Sequence, residues 1–305
     1  MDPAAFLQSA LDPHGPEAAA IARLLWILVA GAALVLALVS ILTVLAVRSP
    51  RTWLARPGAI VAGGIVLPAV VLTALLAYAS VAVPRPFSTE PAAARIRVIG
   101  HQWWWEVRYL DERGAHDFAA ANEIRIPAGR PVDIELESAD VLHSFWVPAL
   151  AGKLDLIPGR TNRLRIAADR AGIYRGQCAE YCGGPHALMG LHVVAEDPAR
   201  FEAWRMAQRA GAAQGPARGR ALFESQCSGC HTVRGTPAAG TLGPDLTHVG
   251  SRIALAAAAL PNDDAGRARW IAAGQHVKPG NLMPQYAELP ADDLAALAAY
   301  LAALR

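Results

Sequence analysis

Residues 178–189 read CAEYCGGPHALM, with two cysteines, a histidine and a methionine set among glycines and a proline. A mononuclear blue-copper site takes one thiolate, two histidines and a weak axial methionine. CGGPHALM supplies Cys182, His186 and Met189 in that order, and Cys178 is then one thiolate too many. The second histidine is offered by VLHSFWVP, where His143 lies in an apolar run expected to be a strand. Two thiolates and two imidazoles can bridge a pair of coppers, each taking both sulfurs and one imidazole. Met189 and the backbone carbonyl of Glu180 are then the weak axial donors. A disulfide is open to an exported CxxxC pair, but it leaves His143, His186 and Met189 without a role. A zinc site of two cysteines and two histidines leaves Met189 unexplained.

Around this loop the chain alternates between apolar and polar residues. RIRVIG, WEVRYL, NEIRIP, VDIELES, RLRIAA and LHVVAE all have period two and are bounded by Gly, Pro, Asn or Asp, the pattern of an antiparallel sandwich or barrel. Residues 92–198 are therefore expected to be all-β. The apolar residues Leu142, Phe145 and Trp146 are well placed to pack against the histidines and hold them. In HQWWW, successive side chains of a strand point to opposite faces, so Trp103, Trp104 and Trp105 cannot share one role.

Upstream, no residue from Leu24 to Val47 or from Gly58 to Val83 is charged. Runs of about 24 and 26 residues are each long enough to cross a bilayer, so residues 21–84 are expected to form a transmembrane hairpin. Its connector carries Arg48, Arg51 and Arg56 with no acid, which places it in the cytoplasm. Both termini, the segment 1–20 and everything beyond Pro84 then lie outside, in a periplasm or its equivalent. Residues 1–20 lack a basic n-region and an apolar h-region, so either the first span serves as the export signal or a leader is omitted from the numbering.

Downstream, PARFEAWRMAQ reads as a short helix running into a Gly-, Ala- and Pro-rich stretch, with 199–216 expected to act as a linker. Residues 217–305 are expected to form a small helical domain. In its last helix Leu294, Leu297, Leu301 and Leu304 share a face, and Asp292 and Asp293 sit at the positive end. This domain holds the remaining two of the four cysteines, in CSGCH. Cys227 and Cys230 followed by His231 form the CxxCH signature of covalent haem attachment. No second CxxC, as a zinc ribbon needs, and no βαβ context, as a thioredoxin needs, accompanies it. The sixth iron ligand is expected to be Met283 in NLMPQY, with His276 as the alternative; methionine ligation raises the potential. His248 is expected at the surface or the haem edge. His14, His101, His116, His192 and Met206 are expected to be structural or superficial.

The formal net charge is +2, with no long basic run and no interleaving of basic and aromatic residues, which argues against nucleic acid as a partner.

Taken together, HQWWWEVRY, VLHSFWVPALAGKLDLIPGR, CAEYCGGPHALM, CSGCH and the two-span start resemble subunit II of the haem-copper cytochrome c oxidases, in the variety with a fused cytochrome c. The resemblance covers nearly the whole chain. It implies a multidomain membrane protein: a two-helix transmembrane hairpin, an all-β cupredoxin-like Greek-key barrel and an all-α class I cytochrome c domain. It also implies the dinuclear copper centre CuA on His143, Cys178, Glu180 (through its carbonyl), Cys182, His186 and Met189. By the same likeness Trp103 is the electron entry residue, and the Glu180 carboxylate helps bind magnesium at the subunit I interface. The partners implied are subunits I and III, a cytochrome c donor and the bilayer, with oxygen reduced and protons translocated on subunit I. The chain departs from many family members in having no Asp or Glu between Glu17 and Glu90, so proton uptake must rely on other groups. Feeding a haem-copper nitric oxide reductase, or carrying copper in the periplasm, are the alternative functions.

Overall fold

The computed structural model describes residues 6–48, 56–82 and 90–305. Arg51 and most of the connector, and residues 83–89 after the second span, lie outside the described residues.

The first apolar run forms helix α1 (Pro16–Arg48). At 1.5 Å per residue it is about 50 Å long, well beyond the ~30 Å of a hydrocarbon layer. Its first turn is not membrane-facing: Ala18 is buried, and its amide donates to Leu150 O at 3.3 Å. Beyond that turn, apolar side chains such as Leu34, Leu36 and Val47 are exposed, as suits a lipid surface. The second run comprises α2 (Pro57–Val61), a π-helical turn at Ala62–Val66 around Gly63 and Gly64, and α3 (Leu67–Ala82). Residues 7–15 lie along the β-domain. Leu7 exchanges hydrogen bonds with Ile173 O and Arg175 N, both 3.0 Å, and buried His14 is held between Ala149 O and Asp169 N, both 2.7 Å.

The β-domain has ten strands: β1 (Ala94–His101), β2 (Trp104–Leu110), β3 (His116–Ala121), β4 (Glu123–Pro127), β5 (Val132–Ser138), β6 (His143–Trp146), β7 (Leu154–Leu156), β8 (Asn162–Ile166), β9 (Gly172–Cys178) and β10 (Gly190–Glu196). They form two five-stranded sheets, ordered β3-β2-β1-β5-β8 and β4-β10-β9-β6-β7. Pairing is antiparallel except for β1 with β5 and β10 with β4. The period-two pattern explains the layering. Val132, Ile134 and Leu136 point inward to Trp105, Val107, Ile124, Phe145 and Leu191, each contributing about 1.5–3 kcal/mol by leaving water. The alternate residues pair on the outside, Arg97 with Glu135 at 2.7 Å and Arg165 with Asp133 at 2.6 Å.

The stretch 199–216, expected as a linker, begins inside helix α4 (Pro198–Gln208), capped by Asp197, whose side chain accepts from Ala199 N at 2.9 Å. Phe201 is buried in the β-domain core, and Trp204 packs edge-on against Tyr109 and Phe118 at 5.3 and 5.7 Å. These aromatics lie one turn apart on one helix face, so the helix belongs to the β-domain, and the connecting stretch is 209–216.

The C-terminal domain comprises α5 (Ala217–Gln226), a two-stranded hairpin of β11 (Ala254–Leu255) and β12 (Leu260–Pro261), α6 (Asp264–Val277) and α7 (Ala291–Ala303). Its core joins Phe223, Val233, Ile271, Leu297 and Tyr300. Gly219 lets α5 approach α7 closely: a Cβ there would stand 2.7 Å from Tyr300 Cβ.

Candidate metal centre and haem pocket

The end of β9, the loop after it and the start of β6 bring the copper-type donors to one place. Cys178 Sγ lies 3.8 Å from Cys182 Sγ, 3.9 Å from His143 Nδ1 and 3.2 Å from Glu180 O. Cys182 Sγ lies 3.5 Å from His186 Nδ1 and 3.8 Å from Met189 Sδ. Each sulfur thus has its own histidine and its own weak donor, the symmetry that two bridged metals require. Both cysteines are free and buried. At 3.8 Å the sulfurs are far beyond the ~2.05 Å of a disulfide, and within reach of a metal between them. The two thiols share their acidity: Cys182 beside it holds Cys178 well below the usual thiol range, whereas Cys178 and burial push Cys182 up.

The loop is built around these atoms. Cys178 N donates to Met189 O and Ala179 N to Ser144 O, both at 2.9 Å, tying its two ends to each other and to β6. Gly183, at φ 117°, supplies a left-handed turn beneath the Trp103 ring, where a Cβ would come within 2.9 Å. Gly100 likewise leaves room for the His143 ring, which a Cβ would approach to 2.8 Å.

His143 is fixed by a residue the sequence reading did not single out. Asp140 Oδ1 accepts from His143 Nε2 at 2.8 Å, while its carboxylate also accepts from Val141 N at 2.6 Å and Gln102 N at 2.7 Å. Burial opposes the charge on Asp140, but these donors outweigh it and hold the carboxyl below its ordinary range. An ionised Asp140 keeps the proton on Nε2 and leaves Nδ1 free for a metal. The expectation for Leu142 is corrected: it is 47% exposed, because it sits in the turn before β6. Phe145 is buried as expected, Trp146 half-buried, and Trp105 lies 6.1 Å from the His143 ring.

The three tryptophans divide as alternation requires. Trp105 is fully buried, Trp104 stacks on His101 at 4.4 Å, and Trp103 sits in the turn before β2. Trp103 Nε1 donates to Cys182 O at 2.9 Å, and Gln102 Nε2 donates to the same carbonyl at 2.8 Å.

The other face of Trp103 lines a mostly apolar cavity of about 330 Å³ in the C-terminal domain. Cys227, Cys230 and His231 line one side and Met283 lines it from the loop before α7, whereas the alternative His276 is exposed and does not line it. His231 Nδ1 donates to Pro244 O at 2.9 Å, which turns Nε2 inward, and burial keeps the ring below its ordinary pKa and hence neutral. Gln275 Nε2 donates to Met283 O at 2.9 Å and steadies the thioether loop. Leu242 and Leu282 at the rim are 78% and 92% exposed, apolar surface that a large flat apolar group would cover. The residues fit a haem. His248 is buried and bonded to Ala210 O at 3.2 Å, away from this cavity.

The family model described as the periplasmic domain of cytochrome c oxidase subunit II matches residues 112–196, and the cytochrome c model matches residues 216–305. Cytochrome c oxidase subunit 2 of Bacillus subtilis is 30% identical over 256 residues, 79% of this chain and 70% of that protein. The chain belongs to the cytochrome c oxidase subunit II family. The subunit 2 of Alkalihalophilus pseudofirmus is 41% identical over 215 residues, covering 69% of this chain and 61% of that protein. That of Bacillus sp. strain PS3 is 32% identical over 225 residues, covering 69% and 62%. The chain thus spans about three fifths of the length of these two relatives. A solved structure of the periplasmic domain of subunit II of cytochrome oxidase from Bradyrhizobium japonicum is 28% identical, covering 40% of this chain and 97% of that one, with a TM-score of 0.37. As a subunit II the chain has two apolar helices, a cupredoxin-like β-domain and a cytochrome c domain, and it is a membrane-anchored protein with a periplasmic domain.

Proposed function

We propose that this chain is the electron-input subunit of a respiratory terminal oxidase, taking single electrons from a cytochrome c and delivering them to the oxygen-reducing site of subunit I. The observation that carries this reading is Trp103, which lines the haem-type pocket on one side and is hydrogen-bonded to the carbonyl of Cys182 on the other. When bound, a covalent haem and a dinuclear CuA centre supply reversible one-electron chemistry.

The chain's own residues do the rest. Cys227 and Cys230 offer the two sulfurs for attachment, His231 presents Nε2, and Met283 presents its thioether from the opposite loop. His143, Cys178, Cys182, His186, Met189 and the carbonyl of Glu180 would hold the copper pair, and the largely buried frame they sit in would limit rearrangement as charge comes and goes. The route from pocket to copper ligand is short and bonded: indole N–H to Cys182 O at 2.9 Å, then the backbone and Cβ of Cys182 to its sulfur. The half-buried Glu180 carboxylate would help hold a magnesium ion where subunit I docks. The docking of residues 7–15 on the β-domain supports a two-span topology with both termini periplasmic. Subunit III is the further partner, and proton translocation belongs to subunit I.

The test is purification of the complex from native membranes through a tag on this chain, followed by supply of reduced cytochrome c. Cyanide-sensitive oxygen uptake is expected. Nitric oxide turnover with little oxygen uptake transfers the same path to a nitric oxide reductase, and neither activity, with no large subunit bound, favours a copper carrier.

A further inference from the structure

The two domains meet at contacts that neither core needs. The turn between β11 and β12 carries Ala256, Ala257 and Ala258 at φ 54°, 57° and 61°, a left-handed run that costs roughly 1–2 kcal/mol per non-glycine residue. Something must hold it in place, and one of its partners is on the β-domain. Ala257 O accepts the amide of Gly190 at 3.0 Å, the residue directly after Met189. A Cβ on Gly190 would come within 3.2 Å of that same carbonyl, so the approach is close. Nearby, Ile253 N donates to Glu123 Oε2 at 2.7 Å.

Lys278, just past the end of α6, closes this contact. Its Nζ donates to Trp103 O and to Ala256 O, each at 2.8 Å, one carbonyl from each domain. The residue is only 2% exposed, and among the described residues no carboxylate lies within ion-pair distance. A lone buried ammonium is costly, and burial pushes its pKa down to about 7. Packing alone does not explain such a group. An apolar side chain of equal length would fill the space and leave two buried carbonyls unpaired, each costing about 1–3 kcal/mol. That loss falls on the docking of the domains, because both carbonyls belong to the interface.

We propose that Lys278 is the positioning residue of the electron relay: by binding the carbonyls of Trp103 and Ala256 together it seats the haem pocket on Trp103, with the indole held between pocket wall and Cys182. The inference rests on the electron-input reading. It concerns this chain's own contacts, so it can be tested separately.

The experiment uses the full chain, loaded with haem and copper in detergent, as wild type, Lys278→Met and Lys278→Arg. The first readout is hydrogen exchange at the amides of Gly190 and Ile253, which donate across the interface. Wild type should protect both at least a hundredfold. Lys278→Met should lose at least tenfold of that protection while the β2 and β5 amides stay unchanged, and Lys278→Arg, which keeps cation and donors, should retain most of it. The second readout is the rate at which one electron passes from reduced haem to oxidised copper after rapid mixing. It should fall at least tenfold in Lys278→Met and less than threefold in Lys278→Arg. The third is the haem midpoint potential at pH 6, where Lys278 is protonated; it should shift downward in Lys278→Met, as removal of a nearby positive charge requires and a purely mechanical role does not. Unchanged exchange and transfer in Lys278→Met would overturn the proposal. If that variant loses its haem or copper spectrum, wild type decides: open-loop exchange at Gly190 overturns the clamp, and protection supports it. A wild-type chain that binds neither cofactor sinks the electron-input reading, while the exchange data still judge the clamp.

Discussion

Replacing Asp140 by Asn keeps the size of the side chain and removes its charge. The carboxylate now takes three donors: His143 Nε2 at 2.8 Å and Val141 N at 2.6 Å on one oxygen, Gln102 N at 2.7 Å on the other. An asparagine has only one acceptor oxygen. If that oxygen stays on His143, the amide NH₂ faces the N–H of Gln102, donor against donor. If it flips, the NH₂ faces Nε2 and drives the imidazole proton to Nδ1, the atom 3.9 Å from Cys178 Sγ that the metal needs. Either arrangement sacrifices a charge-assisted hydrogen bond worth about 1.5–3 kcal/mol, and loss of a partner that orients a ligand typically weakens metal binding 10- to 100-fold. We expect Asp140→Asn to lower copper affinity about 10- to 100-fold in competition titrations of the full chain against a chelator. The haem spectrum should be unchanged, and Asp133→Asn, which touches only the Arg165 pair on the outer face, should have no effect. Affinity within twofold of wild type would refute the claim that Asp140 orients His143.

Cys178→Ser should abolish the mixed-valence copper signal and leave haem attachment intact by absorption and gel staining; a surviving dinuclear spectrum removes Cys178 from the ligand set. Met283→Ala should keep the haem covalently bound but lose its low-spin methionine spectrum. Gly219→Ala forces a Cβ to 2.7 Å from Tyr300 Cβ, overpacking that costs about 1–3 kcal/mol and should lower the melting temperature of the haem domain by at least about 4 °C in calorimetry. His192 is 3% exposed with Nε2 unpartnered, and burial, aided by Arg175, pushes its pKa from 6.5 to about 4. Below pH 6.5 the unfolded chain takes a proton that the folded chain refuses. Denaturant stability should therefore fall by up to about 3 kcal/mol between pH 6.5 and 4, and His192→Gln should flatten this slope.

The metal donors were legible because most lie in one twelve-residue loop whose residue types have few other uses together, and the haem attachment because CxxCH is contiguous. Six of the ten β-domain strands alternate cleanly enough to be read. By contrast, β3 reads HDFAAA, whose alanines carry little periodic signal, and α6 reads DAGRARWIAAGQHV, too polar and glycine-interrupted to declare a face. Gln102 and Lys278 escaped because their roles come from contacts 80 and 175 positions away in the chain, and Asp140, only three residues before His143, escaped because nothing local separates it from a turn aspartate. Nothing local separates Lys278 from a surface lysine. Its burial exists only once the two domains are docked.

The order in which the cofactors are reduced tests the electron-input account most directly. The oxidised full chain, carrying two coppers and one covalent haem by metal analysis, is mixed rapidly with reduced cytochrome c while the haem and copper bands are followed separately. The account predicts that the haem band reduces first and partly reoxidises as the copper band bleaches, and that a Cys227→Ala/Cys230→Ala chain lacking haem reduces its copper far more slowly. Copper reduction at the wild-type rate in that haem-free chain would contradict it.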